Sequence, residues 1–265
     1  MKRFHNTAFP GIYLFAAFAI ILSGCKKESS SVSPPDDNST TSRTELTTTV
    51  GDLVTLCNGK AQSFVCKDAQ GNPVSIGFVF SEEVLKHLPS EMTMTSIPVP
   101  KNNGTLVDHI SVDYQPIGHE PPGVYDKPHF DIHFYMISES EQMMIDNGPK
   151  MESLPPAEFI PANYQAPPGG VPMMGKHWSD VTSHEFHGQP FDRTFIYGSY
   201  DGQFTFHEPM ITIAYFKTKQ NFTDNIVQQP KVQREGYYPK TYSVTYEAKE
   251  KRYKVTLGGL TLRHL

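Results

Sequence analysis

Histidine and carboxylate side chains bind transition metals and move protons near neutral pH, and this sequence concentrates them. Seven of its eleven histidines fall between His119 and His207. The densest stretch is GHEPPGVYDKPHFDIHFY, Gly118 to Tyr135, which holds three histidines, one glutamate and two aspartates. Two later segments carry matching groups: MGKHW at Met174–Trp178 and FTFHEPM at Phe204–Met210. Such a set suits zinc, iron or manganese, whose usual ligands are imidazole and carboxylate. The sequence contains no H-E-x-x-H motif, no serine nucleophile elbow and no glycine-rich phosphate loop. A cupin-like site needs a close His-x-His with a following Glu, and His-x-Asp-x-His matches that only in part.

Strand periodicity decides which of these groups can meet. Alternate side chains of a strand share a face. After Pro128, His129, Asp131, His133 and Tyr135 fall on one face, and Phe130, Ile132, Phe134 and Met136 on a core face. Residues two apart lie about 6.6 Å apart along a strand and residues four apart about 13 Å. Neighbours can therefore share an ion, whereas His129 and His133 need a bend or bulge to do so. Pro209 cannot donate a ladder hydrogen bond, which predicts an edge or a bulge. Glu208 shares its face with Phe204, Phe206 and Met210, so it reads as a buried carboxylate in need of a partner and is preferred to His207. The candidate metal ligands are His129, His133, His177, Glu208 and His119. Asp131 and Glu120 are candidates for acid/base or supporting roles; His184 and His187 read as solvated loop residues.

The scaffold that must hold them reads as mainly β. Strand patterns recur at Gly51–Leu56, Ala61–Lys67, Pro73–Phe80, Ser96–Pro100, His109–Tyr114, 128–137, Arg193–Ser199, Gln203–Phe216, Thr241–Glu247 and Arg252–Leu257. Turn signals separate them, among them Asp201-Gly202. Two short helices are expected, one opening after Ser81 and stopped by Pro89, the other over Glu139–Ile145. Residues 146–175, rich in Pro and Gly, are long for a plain connection and suggest a functional loop or lid. Short strands at this spacing predict one β-sandwich or barrel-like domain over residues 45–265.

The N-terminus reads as a targeting segment. Lys2 and Arg3 precede an apolar run, IYLFAAFAIIL, which is too short for a membrane span of about 20 residues. Leu22-Ser23-Gly24-Cys25 resembles the lipobox of bacterial lipoprotein signals, with cleavage after residue 24 and lipidation of Cys25. Residues 25–44, polar and rich in Ser, Thr and Pro, read as a flexible tether. Lys26 in place of Asp resembles the outer-membrane sorting rule, on the periplasmic face or the cell surface. The expected partner is therefore the membrane, through the lipid anchor. The formal net charge is −5, and losing Lys2 and Arg3 makes the mature chain more acidic, which argues against nucleic acid. Cys57 and Cys66, in an oxidising compartment, are a candidate disulfide; the alternative is two reduced, small apolar residues.

GHEPPGVYDKPHFDIHFYMIS, VPMMGKHWSD, FIYGSYDGQFTFHEPMIT and GNPVSIGFVFSEEVLKHLP together resemble an uncharacterised bacterial secreted and lipoprotein family, a domain of unknown function named after a Thermus protein. The resemblance covers roughly residues 50–220 and implies a secreted, β-rich domain. It implies no activity and carries over no catalytic residue. Its matching positions include His119, Glu120, His129, Asp131, His133, His177, Trp178 and Glu208. Three functions fit the sequence: a metal-dependent envelope enzyme using zinc, iron or manganese, a small-ligand-binding lipoprotein, and a structural or assembly protein that forms homo-oligomers.

Overall fold

Every second residue of Ala61–Val65, Ile76–Phe80 and Tyr253–Leu257 is buried, and the same holds for Ile110–Tyr114 and Phe130–Phe134. These two sets face each other across one core. The computed structural model describes residues 46–265. The signal segment 1–24, Cys25 and the tether 25–44 lie outside the described residues.

In chain order the strands are β1 (Thr47–Leu56), β2 (Gly59–Lys67), β3 (Pro73–Ser81), β4 (Thr93–Pro98), β5 (His109–Gln115), β6 (His129–Tyr135), β7 (Tyr164–Gln165), β8 (Lys176–Asp180), β9 (Arg193–Tyr200), β10 (Gln203–Thr212), β11 (Phe222–Asn225), β12 (Gly236–Tyr238), β13 (Thr241–Glu247), β14 (Arg252–Gly258) and β15 (Thr261–Arg263). Two short α-helices, α1 (Glu139–Gln142) and α2 (Ile213–Thr218), and four 3₁₀ turns complete the set. A six-stranded sheet runs β1-β2-β3-β14-β13-β11; a seven-stranded sheet runs β4-β5-β6-β10-β9-β8-β7; β12 and β15 form a small third sheet. Neither large sheet closes into a barrel. The fold is mainly β and sandwich-like. Aromatic contacts cross the core, such as Phe80 with Phe130 and Phe195 with Tyr242.

The structure departs from the sequence reading in several places. The helix expected between Ser81 and Pro89 is a 3₁₀ turn, Glu82–Leu85, without a side-chain cap from Ser81. The helix expected over Glu139–Ile145 is a single turn, closed by a Ser138–Glu141 capping box. Met143 and Met144 beyond it are exposed, so no apolar stripe repays further helix growth. The strand expected to run to Phe216 ends at Thr212, whose hydroxyl caps α2 by accepting from the Tyr215 N–H. Pro209 is not on an edge, because β10 lies between β6 and β9. The ladder to β6 lapses at Glu208 and Pro209 without changing register, which absorbs the missing donor. The bulge sits instead at Thr205, facing β9. It turns Phe204 into the core and leaves Phe206 on the opposite face.

The Cys57–Cys66 disulfide is also corrected: both cysteines are free. Cys57 lies in the turn of the β1–β2 hairpin, whereas Cys66 pairs with Thr48 at its far end. At about 3.4 Å per strand residue the two are separated by roughly 20 Å or more, against the ~4.4–6.8 Å between α-carbons that a disulfide needs.

His207 faces this core, ringed by Phe195, Tyr197 and Tyr238. Burial, aided by the charge of Arg234, pushes its pKa down to about 3. The unfolded chain takes up this proton near pH 6.5, while the folded chain resists it until about pH 3. Its neutral form therefore contributes stability above pH ~6.5 that is lost on acidification. We expect the urea midpoint to fall as pH drops from about 6.5 to 4, and His207→Gln to make that fall shallower. An equally steep fall in the variant would contradict this.

Candidate functional site

The second face of the seven-stranded sheet carries the chemistry. Strand β6 presents His129, Asp131, His133 and Tyr135 there, all buried. Opposite them in β5 stand Gln115, Asp113, Ser111 and His109. On the other side, β10 places Glu208 beside His133 in register and Met210 opposite Asp131. Strand β8 contributes His177, which pairs with Gly198 of β9, and Gly198 pairs in turn with Phe206 of β10. A Cβ on Gly198 would strike the Phe206 ring. Glycine therefore leaves the space that the Phe206 ring fills, against the His177 ring.

The ionisable groups separate into two trios. His133, His177 and Glu208 form one; His119, His129 and Asp131 form the other. Within each trio, one ligand atom per residue lies within 4.8 Å of the others, so either could hold a metal ion. In the first, His133 Nε2 is 3.6 Å from Glu208 Oε1, and His177 Nε2 is 3.6 Å from Glu208 Oε2. In the second, Asp131 Oδ1 is 2.8 Å from His129 Nε2 and 3.5 Å from His119 Nε2. The sequence kept His129 and His133 apart as ligands of one ion, and the structure places them in separate trios, His133 with His177 and Glu208, His129 with His119 and Asp131. Asp131 stands among the ligand atoms of the second trio. Glu120 is exposed beside the cavity and belongs to neither. His184 and His187 are exposed on a 3₁₀ turn.

A cavity of about 770 Å³ opens over this face. Its wall includes His119, Asp131 and His177 from the trios, with Gln115, Tyr125 and Met174. His133 and Glu208 lie behind that wall, no more than 1% exposed. Two loops build the rim. In the loop before β6, Gly118 takes a positive φ of 77° and packs so tightly that a Cβ would strike the Tyr125 carbonyl oxygen. The His119 N–H donates to that same carbonyl, which fixes the histidine. In the 146–175 segment, 3₁₀ turns at Pro149–Glu152 and Ala157–Phe159 break up what the sequence suggested was one long loop. Buried Lys176 ties it down, donating to Glu152 and to the carbonyls of Pro167 and Gly169.

Desolvation governs the electrostatics of the face. Burial raises Asp113 to about 8, against a 2.7 Å hydrogen bond from Ser111 and reinforced by the charge of Asp131. Burial likewise holds Glu208 well above the carboxylate range, with Asp131 and Asp113 adding to it. His133 is pushed down to about 3 and His177 to about 4, both chiefly by burial. Asp131 behaves oppositely: burial would raise it, but His129 and His119 hold it below its ordinary value. Burial lowers His119, and the contact with Asp131 outweighs this, leaving it above its ordinary value. Several of the atoms concerned make no hydrogen bond: both nitrogens of His133, Glu208 Oε2, Asp113 Oδ2, His129 Nε2 and Asp131 Oδ1. Buried polar atoms without partners are costly, and a cation at each trio would serve His133 Nε2, Glu208 Oε2, His129 Nε2 and Asp131 Oδ1.

Asp113 is the participant that the sequence reading passed over. It is fully buried, and its Oδ2 lies 3.4 Å from His133 Nδ1. Its signal was present: HISVDYQ alternates polar and apolar residues as HFDIHFY does. Tyr125, whose hydroxyl is buried without a partner, and the loop-holding Lys176 carried no comparable signal.

Residues 68–114 match the model of the TTHB210-like family, described as Hypothetical protein TTHB210. This is the Thermus-derived family of unknown function, and the matched segment runs from the β2–β3 turn through Asp113 of β5. No curated protein and no solved structure matches the chain.

The space at Gly198 gives a direct test of how the site is positioned. Gly198→Ala must displace Phe206, and overpacking of this kind costs about 1–3 kcal/mol. We expect a lower urea midpoint with an unchanged m-value. Unchanged stability would show that the ring does not need this space.

Proposed function

We propose that this chain is a metal-binding lipoprotein of the bacterial cell envelope, whose ion is held by His133, His177 and Glu208 at the inner wall of a ligand cavity. One observation carries the reading: two imidazole nitrogens and a carboxylate converge behind the cavity, with His133 Nε2 and Glu208 Oε2 buried and unpartnered. Two histidines and a glutamate with a coordination position to spare are a donor set used by catalytic zinc, and two histidines with a carboxylate also suit non-haem iron. Both imidazoles are neutral at pH 7, as a ligand must be. Asp113 beside His133 Nδ1 would orient that ring, a role that carboxylates often play around metal-bound histidine. The cavity above is of the size that encloses small molecules. A metal-dependent reaction on such a molecule is the favoured activity, with zinc, iron or manganese as the ion. Ligand binding without chemistry is the second reading, favoured by the apolar residues Met92, Val171, Met174 and Ile196 in the same wall.

Metal analysis of protein purified without a histidine tag tests the centre. We expect bound zinc, iron or manganese that is reduced by one ion per chain in His133→Ala and Glu208→Gln. A metal present at 100 times its dissociation constant should add about 2.7 kcal/mol of stability. Protein that binds none of the three, and whose melting none of them changes, would overturn the reading. The anchor is tested separately by palmitate labelling of whole cells, which Cys25→Ser should abolish; labelling that persists would exclude lipidation at this cysteine.

A further inference from the structure

His129 Nδ1 lies 2.6 Å from the Lys127 carbonyl oxygen, and His119 Nδ1 lies 2.7 Å from the Glu120 carbonyl oxygen. A carbonyl only accepts, so each Nδ1 carries a hydrogen. In the neutral ring each Nε2 is then a bare lone pair. Both lone pairs point at the same acceptor, Asp131 Oδ1, at 2.8 and 3.5 Å. Neither His129 Nε2 nor Asp131 Oδ1 makes a hydrogen bond of sound geometry. The other carboxylate oxygen, Oδ2, is already engaged by Gln115 Nε2 at 3.0 Å. Three electron-rich atoms thus converge, with the far side of every group pinned. Histidines held by backbone carbonyls through the non-ligating nitrogen are the usual outer support of metal sites.

We propose that His119, His129 and Asp131 form a second metal site, separate from the His133–His177–Glu208 centre, and that its ion also meets the cavity's ligand. The two trios share no residue, so each can be filled alone. Asp131 and the partly exposed His119 line the cavity; of the other trio only His177 does, with His133 and Glu208 behind it. An ion bound by three protein atoms there keeps coordination positions open toward the 770 Å³ space. Two nitrogens and one oxygen suit zinc, cobalt or copper better than calcium or magnesium. The ligand would be a small molecule that offers an oxygen or nitrogen donor to the metal. This last step extends the metal-binding reading above, but the second site stands without the first.

Cobalt(II) titration of the untagged mature protein, with metal analysis and visible spectra, tests both. We expect two ions per chain in the wild type and one in the double variant His119→Ala/His129→Ala. We also expect one in His133→Ala/Glu208→Gln, where added azide should shift the remaining spectrum. A single wild-type ion that His119→Ala/His129→Ala leaves in place would overturn the second site and keep the first. A single ion lost in that variant but retained in His133→Ala/Glu208→Gln would support the second site and overturn the first. A second-site spectrum that azide does not alter would overturn its contact with the cavity. No binding would overturn both, leaving Asp131 in an ion pair with imidazolium. Should the double variants misfold, ¹⁵N spectra of the wild-type imidazoles settle the point: zinc should shift Nε2 of His119 and His129, and unchanged signals would overturn the proposal.

Discussion

The outer face of the seven-stranded sheet depends on burying charge. Asp113, Asp131 and Glu208 are at most 3% exposed, within one patch, and among the described residues no lysine or arginine pairs with any of them. Removing carboxylates from water costs several kcal/mol each unless a partner compensates. The chain answers in two ways. Burial holds Glu208 and Asp113 above the ordinary carboxylate range, and two imidazoles hold Asp131 below it. Both answers leave buried atoms without hydrogen bonds. A patch held in that condition favours any cation that enters it, which is why the metal reading rests on solvation rather than on motif.

The same constraint explains the loops. A sheet face this polar cannot pack against the hydrophobic core, which occupies the other face. It must be covered by segments able to exclude water without supplying another sheet. The Gly118–Tyr125 loop and the segment tied to Lys176 do this, and they enclose a cavity instead of closing flat. On the face itself Tyr135 stacks on His133 and Phe206 meets it edge-on, with Met174 packed against both. Aromatic walls lower the local dielectric, which strengthens every charge contact in the patch.

Much of this was legible in the sequence because strand periodicity is strict. The alternation in HFDIHFY identified the two faces of β6, and the Phe/Met neighbours of Glu208 identified a carboxylate that had to be buried. The same rule held His129 and His133 apart. What stayed hidden required knowledge of partners. Pro209 suggests an edge when read alone; only the neighbouring strands show an interior strand with a lapsed ladder. The Thr205 bulge, which sends Phe204 and Phe206 to opposite faces, leaves no composition signal. Cys57 and Cys66 looked close in sequence, yet a hairpin places one in its turn and the other at its open end. Asp113 was missed for a different reason: its alternation was readable, but its importance comes from facing Asp131 and His133, a property of register.

Register also bears on why one strand would serve two trios. Asp131 and His133 share a face, but Asp131 Oδ1 turns toward His129 and His119 while His133 Nε2 turns toward Glu208. Each must recruit partners from its own side. At the Asp131 end the chain enters from the loop before β6, which brings His119 to the rim. At the His133 end the neighbours are β10 and, across Gly198, β8, which bring Glu208 and His177. The first set is therefore peripheral and open, the second interior and enclosed. A flat sheet with a regular ladder could place these groups on one face but not make them converge. Convergence comes from departures from regularity: the space left at Gly198, the tight turn at Gly118 and the lapse beside Pro209. The lapse beside Pro209 costs ladder pairing to β6, and both trios form beside such departures.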